Sequence, residues 1–244
     1  MWYLGLYDLV VTETLWRLID PSDTTIDVGA NIGYMTSLMA VRSGPDGRVL
    51  AFEPQSNVYA KLVSNVERWG TILGTRIEPS ELALSDRSGT AMLNVPDGSE
   101  ENCGLASLVN SQTGGLTSFV QLQRLDNLIN ESIAVLKVDV EGHEASVFEG
   151  ASKLLQSKKI RDIVYEEHRE YPTPATELLE SYGYAVFNLS AYFRGPAARD
   201  IRQPHANRRW EPPSCLATLE PMRALARLRP RGWQTLQISD LTRS

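Results

Sequence analysis

The residues best suited to chemistry come early. Asp27-Val-Gly29-Ala30-Asn31-Ile-Gly33 stands between a short β-type run, Thr25 to Val28, and a helical pattern carried by Met35, Leu38, Met39 and Val41. Glycines there permit a sharp turn and let a ligand approach where a Cβ would clash. A helix that starts at such a turn turns unpaired N–H groups toward the ligand. Glu53 follows Gly29 by 24 residues, closing the next β-type run just before Pro54. A carboxylate in that place accepts the hydroxyls of a ribose. The two features together imply a cofactor that contains adenosine. Two plainer readings compete: Asp27 as a helix cap or turn former, and Glu53-Pro54 as a surface turn.

The glycine spacing bears on which cofactor. Nicotinamide enzymes carry Gly-x-Gly-x-x-Gly, whose turn approaches a pyrophosphate. This chain has Gly29-x-Asn31-x-Gly33, with Asp27 two residues ahead. S-adenosylmethionine has no phosphate but carries a sulfonium and an ammonium, so a neighbouring carboxylate favours it. A nicotinamide-dependent oxidoreductase is the weaker reading, and no Tyr-x-x-x-Lys pair supports it.

A second set runs from a strand into a helix: Lys137-Val-Asp139-Val-Glu141-Gly-His143-Glu144. In open α/β sheets ligands bind beyond the carboxyl ends of the strands. Side chains alternate along a strand, so Lys137 and Asp139 share one face. Methyl transfer to a hydroxyl needs a base, and an imidazole with an unperturbed pKa of about 6.5 accepts a proton near neutrality. His143 is the candidate base, with Asp139 or Glu141 to orient it. The competing reading makes Glu141 and His143 caps of the following helix, with Glu144 favouring its N-terminus. Glu166-Glu167-His168 ends the next strand. Asp139, Glu167 and His168 are types that bind a divalent ion, but their spacing is not diagnostic and a metal-free site is the favoured reading. Arg194, Arg199, Arg202, Arg208 and Arg209 fall among Tyr192, Phe193, His205 and Trp210 in a stretch read as a loop, residues 191–213. Folded over the cleft, that loop would suit a glycosylated or anionic acceptor; as a solvated loop it would do nothing.

The elements that must position these groups follow from the hydrophobic pattern. Arg48 to Phe52, Ile133 to Val138, Asp162 to Tyr165, Ala185 to Leu189 and Ser214 to Leu219 read as strands, and the third strand falls within Ile77 to Leu84. The helical patterns lie between them, including Glu144 to Gln156 and Thr176 to Tyr182. Alternation of this kind implies a parallel sheet. Residues 88–123, broken by Gly89, Pro96, Gly98, Gly104, Gly114 and Gly115, read as a hairpin insertion before the fourth strand. Residues 1–24 read as a helical lead-in, and Met1 to Val11 lack the basic flank of a signal peptide. The 244 residues suit one domain. A net charge of −6 argues against nucleic acid, and no apolar run reaches membrane length. Cys103 and Cys215, far apart, fit a reducing cytoplasm better than a disulfide framework.

These residues resemble the FkbM-type methyltransferases, a family of S-adenosylmethionine-dependent enzymes that methylate hydroxyls, often on sugars or secondary metabolites. The matching stretches are Asp27 to Thr36, Phe52-Glu-Pro54, Ala83-Leu-Ser-Asp86, Asn102 to Ser107, Leu125-Asp126 and Leu136 to Glu144. The resemblance implies a doubly wound, Rossmann-like class I methyltransferase sheet of seven strands, mostly parallel, with a terminal antiparallel strand. It implies cofactor contacts from Asp27, Gly29, Ala30, Asn31, Gly33, Glu53, Pro54 and Asp139, with Ser85 and Asp86 beside the adenine. The acceptor would be a small molecule with a free hydroxyl. A non-catalytic module that keeps the cofactor fold remains the alternative from another class.

Overall fold

A computed structural model describes residues 8–95, 107–109, 116–203 and 214–236. The elements run in order α1 (Leu9–Leu18), β1 (Thr24–Val28), α2 (Tyr34–Ser43), β2 (Arg48–Phe52), α3 (Ser56–Leu73), β3 (Arg76–Ser80) and β4 (Ala83–Leu84). They continue with β5 (Gly89–Val95), β6 (Ser107–Val109), β7 (Leu116–Gln123), α4 (Leu125–Leu128), β8 (Ile133–Val138), α5 (Glu144–Gly150) and α6 (Ser152–Gln156). The chain ends with β9 (Ile160–Glu166), α7 (Pro174–Ser181), β10 (Ala185–Tyr192), β11 (Gly195–Asp200), β12 (Ser214–Thr218) and α8 (Pro221–Leu228).

Eight strands form the main sheet in the order β11-β10-β12-β9-β8-β1-β2-β3. The five from β9 to β3 are parallel, while β12 runs antiparallel between β9 and β10. Strand β8 lies at the centre and is buried along its whole length, as expected for a strand covered on both faces. Leu15, Leu18, Met39 and Leu228, from α1, α2 and α8, pack one face against Val49, Val135 and Val164. Leu125, Phe148, Leu155 and Leu179, from α4 to α7, pack the other against Ile26, Leu50, Leu136 and Ile163. The order reverses between β1 and β8, which opens a crevice beyond their carboxyl ends.

Two sequence expectations need correction. The sheet has eight strands, not seven, because much of the stretch read as an Arg-rich loop pairs as the end of β10 and as β11. Gly195, at φ +120°, makes the turn, and Pro196 sits on an edge strand where its missing N–H costs nothing. The helix expected over Glu144 to Gln156 breaks at Ala151, whose φ of −106° is not helical. The third strand, β3, falls where the sequence placed it, and β4 just beyond it pairs with β7 outside the main sheet. The insertion between residues 88 and 123 contains the antiparallel pair β5 and β7, which β6 and β4 extend into a small second sheet.

The first helix is tied to the far end of the described chain by buried charge. Arg17 donates to Glu13 at 2.6 Å and to the carbonyls of Leu228, Pro230 and Gly232 at 3.0, 2.7 and 2.6 Å. Glu13 in turn accepts from the backbone N–H groups of Gln234 and Thr235, both at 2.9 Å.

Candidate active site

The glycine turn joins the end of β1 to α2. Gly29, Asn31 and Gly33 all have positive φ, at 74°, 51° and 96°. A Cβ on Gly29 would lie 1.9 Å from the carbonyl oxygen of Asp139, and one on Gly33 would lie 2.7 Å from Leu62 Cδ1. The Cβ positions of these glycines are therefore taken by the chain itself, which bars a side chain at either one. Their absent side chains let β1 close on the end of β8 and let α2 dock on α3. Ala30 is buried with Ala51 and Leu62 beneath the turn.

Glu53 follows β2 and is 7% exposed. Its Oε2 accepts from the Asn31 N–H and its Oε1 from the Gln55 N–H, both at 2.9 Å. Each oxygen keeps a lone pair for a further donor. Burial raises the carboxyl's pKa, opposed by those two N–H groups. Pro54 carries the chain into the turn before α3. Both cofactor signals of the sequence thus meet in one place, with Glu53 bridging the glycine turn and the start of α3.

Asp27 behaves differently from a surface cap. It is wholly buried, and its carboxylate accepts from Thr36 Oγ1 at 2.7 Å and faces Lys137 Nζ at 3.1 Å. The same ammonium reaches the Gly29 carbonyl at 2.9 Å and Asp139 Oδ2 at 3.5 Å. Lys137 therefore fastens the ends of β1 and β8 together, and Asp27 acts on the site through that fastening.

Ser85, Asp86 and His143 form a separate group. His143 Nε2 lies 3.0 Å from Ser85 Oγ, which donates to Asp86 Oδ1 at 2.9 Å. With Ser85 donating to Asp86, the ring nitrogen is the donor to Ser85. Gly150 of α5 passes so close that a Cβ would lie 2.0 Å from the Ser85 carbonyl oxygen. Burial lowers the imidazole's pKa against a smaller opposing pull from Asp86. His143 thus pairs with Ser85 rather than with Asp139 or Glu141, contrary to the orientation expected of a base.

The acidic groups gather at the ends of β8 and β9. Val138 pairs with Tyr165, so Asp139 and Glu166 follow side by side. Oxygens of Asp139, Glu141 and Glu166 all lie within 4.8 Å of one another. Glu166 is raised to about 8, first by burial and then by Asp139, which also shares a hydrogen bond with it. His168 Nε2 stands 3.3 Å from Glu166 Oε1. Glu141 is exposed and left-handed, at φ +51°. Glu144 is 2% exposed and accepts from the N–H groups of Gly142 and Val140 at 3.1 and 3.4 Å, shaping that loop. The set Asp139, Glu167 and His168 is not assembled. Glu167 points to the opposite side, where Arg169 holds it at 2.9 and 3.2 Å.

Asp8, which the sequence gave no reason to single out, completes this end. It caps α1 by accepting from the Val11 N–H at 3.1 Å, and Ser214 Oγ donates to it at 3.4 Å. A small cleft is lined by Asp8, Val11, Met35, Asp139, Glu166 and Ser214, among others. Two of the described arginines of the former loop are engaged elsewhere. Arg199 covers the Tyr192 ring at 5.3 Å and Arg202 pairs with Glu180 at 2.5 Å, while for Arg194 the main-chain carbonyl accepts from the Gly232 N–H at 2.8 Å. His205, Arg208, Arg209 and Trp210 lie outside the described residues, as do Cys103 and most of Asn102 to Ser107. Among the described residues, no helix is long and apolar enough to cross a membrane.

Comparison with known proteins agrees with this geometry. The methyltransferase FkbM domain pattern matches residues 27–186. The hexuronic acid methyltransferase AglP of Haloferax volcanii is 27% identical over 195 residues, covering 72% of this chain and 76% of its own length. Methyltransferase sdnD of Sordaria araneosa is 30% identical over 215 residues, covering 74% of this chain and 82% of its own. Among solved structures, the methyltransferase FkbM from Methylobacillus flagellatus KT shares the fold, with a TM-score of 0.50 at 16% identity. That match covers 85% of this chain and spans half of the solved one.

Proposed function

The chain belongs to the FkbM methyltransferase domain family, and from that premise we propose that it methylates a hydroxyl of a small metabolite, a sugar or a natural product, using S-adenosylmethionine. Family membership removes the nicotinamide reading. The observation that carries the proposal is Glu53, a buried carboxylate steered by two backbone N–H groups at the end of β2. One relative lends support for the acceptor class, a hexuronic acid methyltransferase by name.

S-adenosylmethionine supplies an electrophilic methyl on a sulfonium, whose positive charge favours ionised carboxylates beside it. Glu53 takes the ribose, with the turn from Gly29 to Gly33 as its wall. Asp27 holds its place through Lys137, and Ser85 with Asp86 faces the adenine. Asp139 and Glu166 face the acceptor, with Glu141 at their flank. An alcohol becomes a useful nucleophile only as its proton leaves, and a carboxyl raised to about 8 is a stronger base than an ordinary one. The Asp139–Glu166 pair therefore takes the role first assigned to His143, which props Asp86 instead. The approach of oxygen to the methyl carbon must be in line, and the cleft beside Asp8 and Ser214 supplies the positioning.

The described lining of the cleft is rich in carboxyl groups, and Arg199 and Arg202 are occupied at the sheet edge. The acceptor class is a small hydroxyl-bearing molecule, and the relative named as a hexuronic acid methyltransferase keeps an acidic sugar within it. Buried Cys215, its thiol pushed up to about 12, stays protonated.

Calorimetric titration with S-adenosylmethionine and S-adenosylhomocysteine tests the proposal, with Glu53→Ala as control. Micromolar binding that the substitution abolishes supports it. Folded wild-type protein that binds neither compound refutes it. Binding without methyl transfer across a broad panel of hydroxyl and amine acceptors would favour a silent cofactor-binding module.

A further inference from the structure

His168 follows β9 by two residues, and its Nε2 lies 3.3 Å from Glu166 Oε1. Its side chain keeps 56% of its surface in solvent, against 19% for Glu166 and 29% for Asp139. Three carboxyl groups face Glu166 from other elements: Asp139 after β8, Glu141 in the loop beyond it, and Asp8 at the cap of α1. Glu141 also faces the imidazole. The neighbouring cations are spoken for. Arg169 is held by Glu167, and Lys137 is buried against Asp27 and the Gly29 carbonyl. Among the described residues, His168 is therefore the basic group that joins the Asp139–Glu166 pair to water.

That pair has a proton to dispose of. At neutral pH Glu166 still carries its own, because burial and Asp139 raise its carboxyl to about 8. Asp139 must then take the acceptor's proton, and the pair cannot act again until one proton leaves. We propose that His168 is the proton exit of the reaction, drawing the proton from Glu166 onto Nε2 and yielding it to solvent. The proposal rests on the methyl-transfer reading above, and in it His168 is a positioning residue that acts through Glu166. The acceptor's oxygen bonds to the methyl carbon as the carbon–sulfur bond breaks, and that bond's electron pair stays on sulfur. The acceptor's proton passes to Asp139, the proton already on Glu166 passes to Nε2, and the imidazolium loses one proton to water. One proton then remains on the pair, as before. An acceptor seated on the carboxyls covers them, whereas an imidazole at the rim stays wet. An imidazole suits the step because it both takes and releases a proton near neutral pH. The contact to Glu166 is long for proton transfer, as such contacts often are before the reactants arrive.

Two measurements test it. Without any ligand, the ring resonances of His168 should report the Glu166 titration near 8 and lose that step in Glu166→Gln. Methyl transfer from S-adenosylmethionine is then followed over about pH 6 to 9 on a panel of neutral and acidic sugars and simple polyols. On the first acceptor that turns over, His168→Gln and His168→Ala should lose about tenfold in kcat at neutral pH. Acceptor KM and S-adenosylhomocysteine affinity should stay within about twofold of wild type. The loss should shrink above about pH 8, where Glu166 has already released its proton. Free imidazole should restore His168→Ala toward wild type and leave wild type unchanged, a rescue that a merely structural histidine would not show. Ring resonances blind to Glu166, wild-type kcat in both variants, a change confined to KM, or a loss that imidazole does not repair overturns the proposal. Failure of the methyltransferase reading is separate, because wild type itself would then bind no S-adenosylhomocysteine and methylate nothing on the panel.

Discussion

Lys137→Met is the perturbation whose size the structure fixes best. The ammonium sits 3.1 Å from Asp27 Oδ1, 2.9 Å from the Gly29 carbonyl and 3.5 Å from Asp139 Oδ2. Asp27 has no exposed surface, whereas the Asp139 side chain keeps 29% of its own. The longer contact, to a solvated partner, contributes under about 1 kcal/mol. The loss is dominated by Asp27, left as a buried charge with Thr36 alone. Removing one partner of a buried pair costs about 3–5 kcal/mol, and methionine conserves volume, so little cavity cost is added. For a chain of this length that corresponds to a fall in Tm of roughly 6–20 °C. Asp27→Asn combined with Lys137→Met removes both charges and should recover about 2 kcal/mol or more of the loss. Urea unfolding of the wild type, both single variants and the double variant, all without ligand, closes the cycle. A Lys137→Met loss under about 1 kcal/mol, or strictly additive variants, would refute the claim that one cation fastens β1 to β8.

Three other outcomes follow from the same geometry. Glu166, raised from 4.5 to about 8, keeps its proton in the folded state while the unfolded chain has released it. Its stabilising contribution is complete below about pH 4.5 and is lost as pH rises toward 8. Glu166→Gln should therefore flatten the decline of Tm over that window, and an unchanged pH dependence would show that the proton is not held there. His143→Ala, assayed at saturating S-adenosylmethionine once an acceptor is found, should keep kcat within about tenfold of wild type; a loss of about a hundredfold or more would restore it as general base. Asp126 accepts from the N–H groups of Lys153 and Leu154 at 3.0 and 3.1 Å and is fully buried. Asp126→Ala should cost about 1–2 kcal/mol in chemical unfolding and leave S-adenosylhomocysteine affinity unchanged, while a selective loss of affinity would give it a role at the site.

The parts of the site that sequence made legible are those set by local spacing. Glu53 could be placed because strand, helix and strand follow one another, and Asp139 because alternation aligns it with Lys137. Groups set by pairing between distant segments were harder to read. Glu166, not Glu167, meets Asp139, and only the register of β8 against β9 decides between them. Asp8 lies 206 residues from Ser214 in sequence, and nothing local announces their contact. The partner of His143 could not be read from residue type, because Ser85 lies 58 residues away. In the fold, β11 was hidden by composition: Gly195, Pro196 and Arg199 read as loop residues, and an edge strand tolerates all three. The glycine turn was recognised, whereas the crowding around it from Asp139 and Leu62, distant in sequence, was not.

The clasp between α1 and the segment after α8 also governs the order of events during synthesis. Glu13 finds its partner N–H at Gln234 across 221 residues. A ribosome adding 5–20 residues per second makes that helix wait roughly 10–40 s for its last contacts. In the interval Arg17 and Glu13 have only each other, and the apolar side of α1 has no finished sheet beneath it. The nascent chain therefore carries this helix without its buried partners until the segment from Leu228 to Thr235 emerges, and that helix is where a chaperone would hold it.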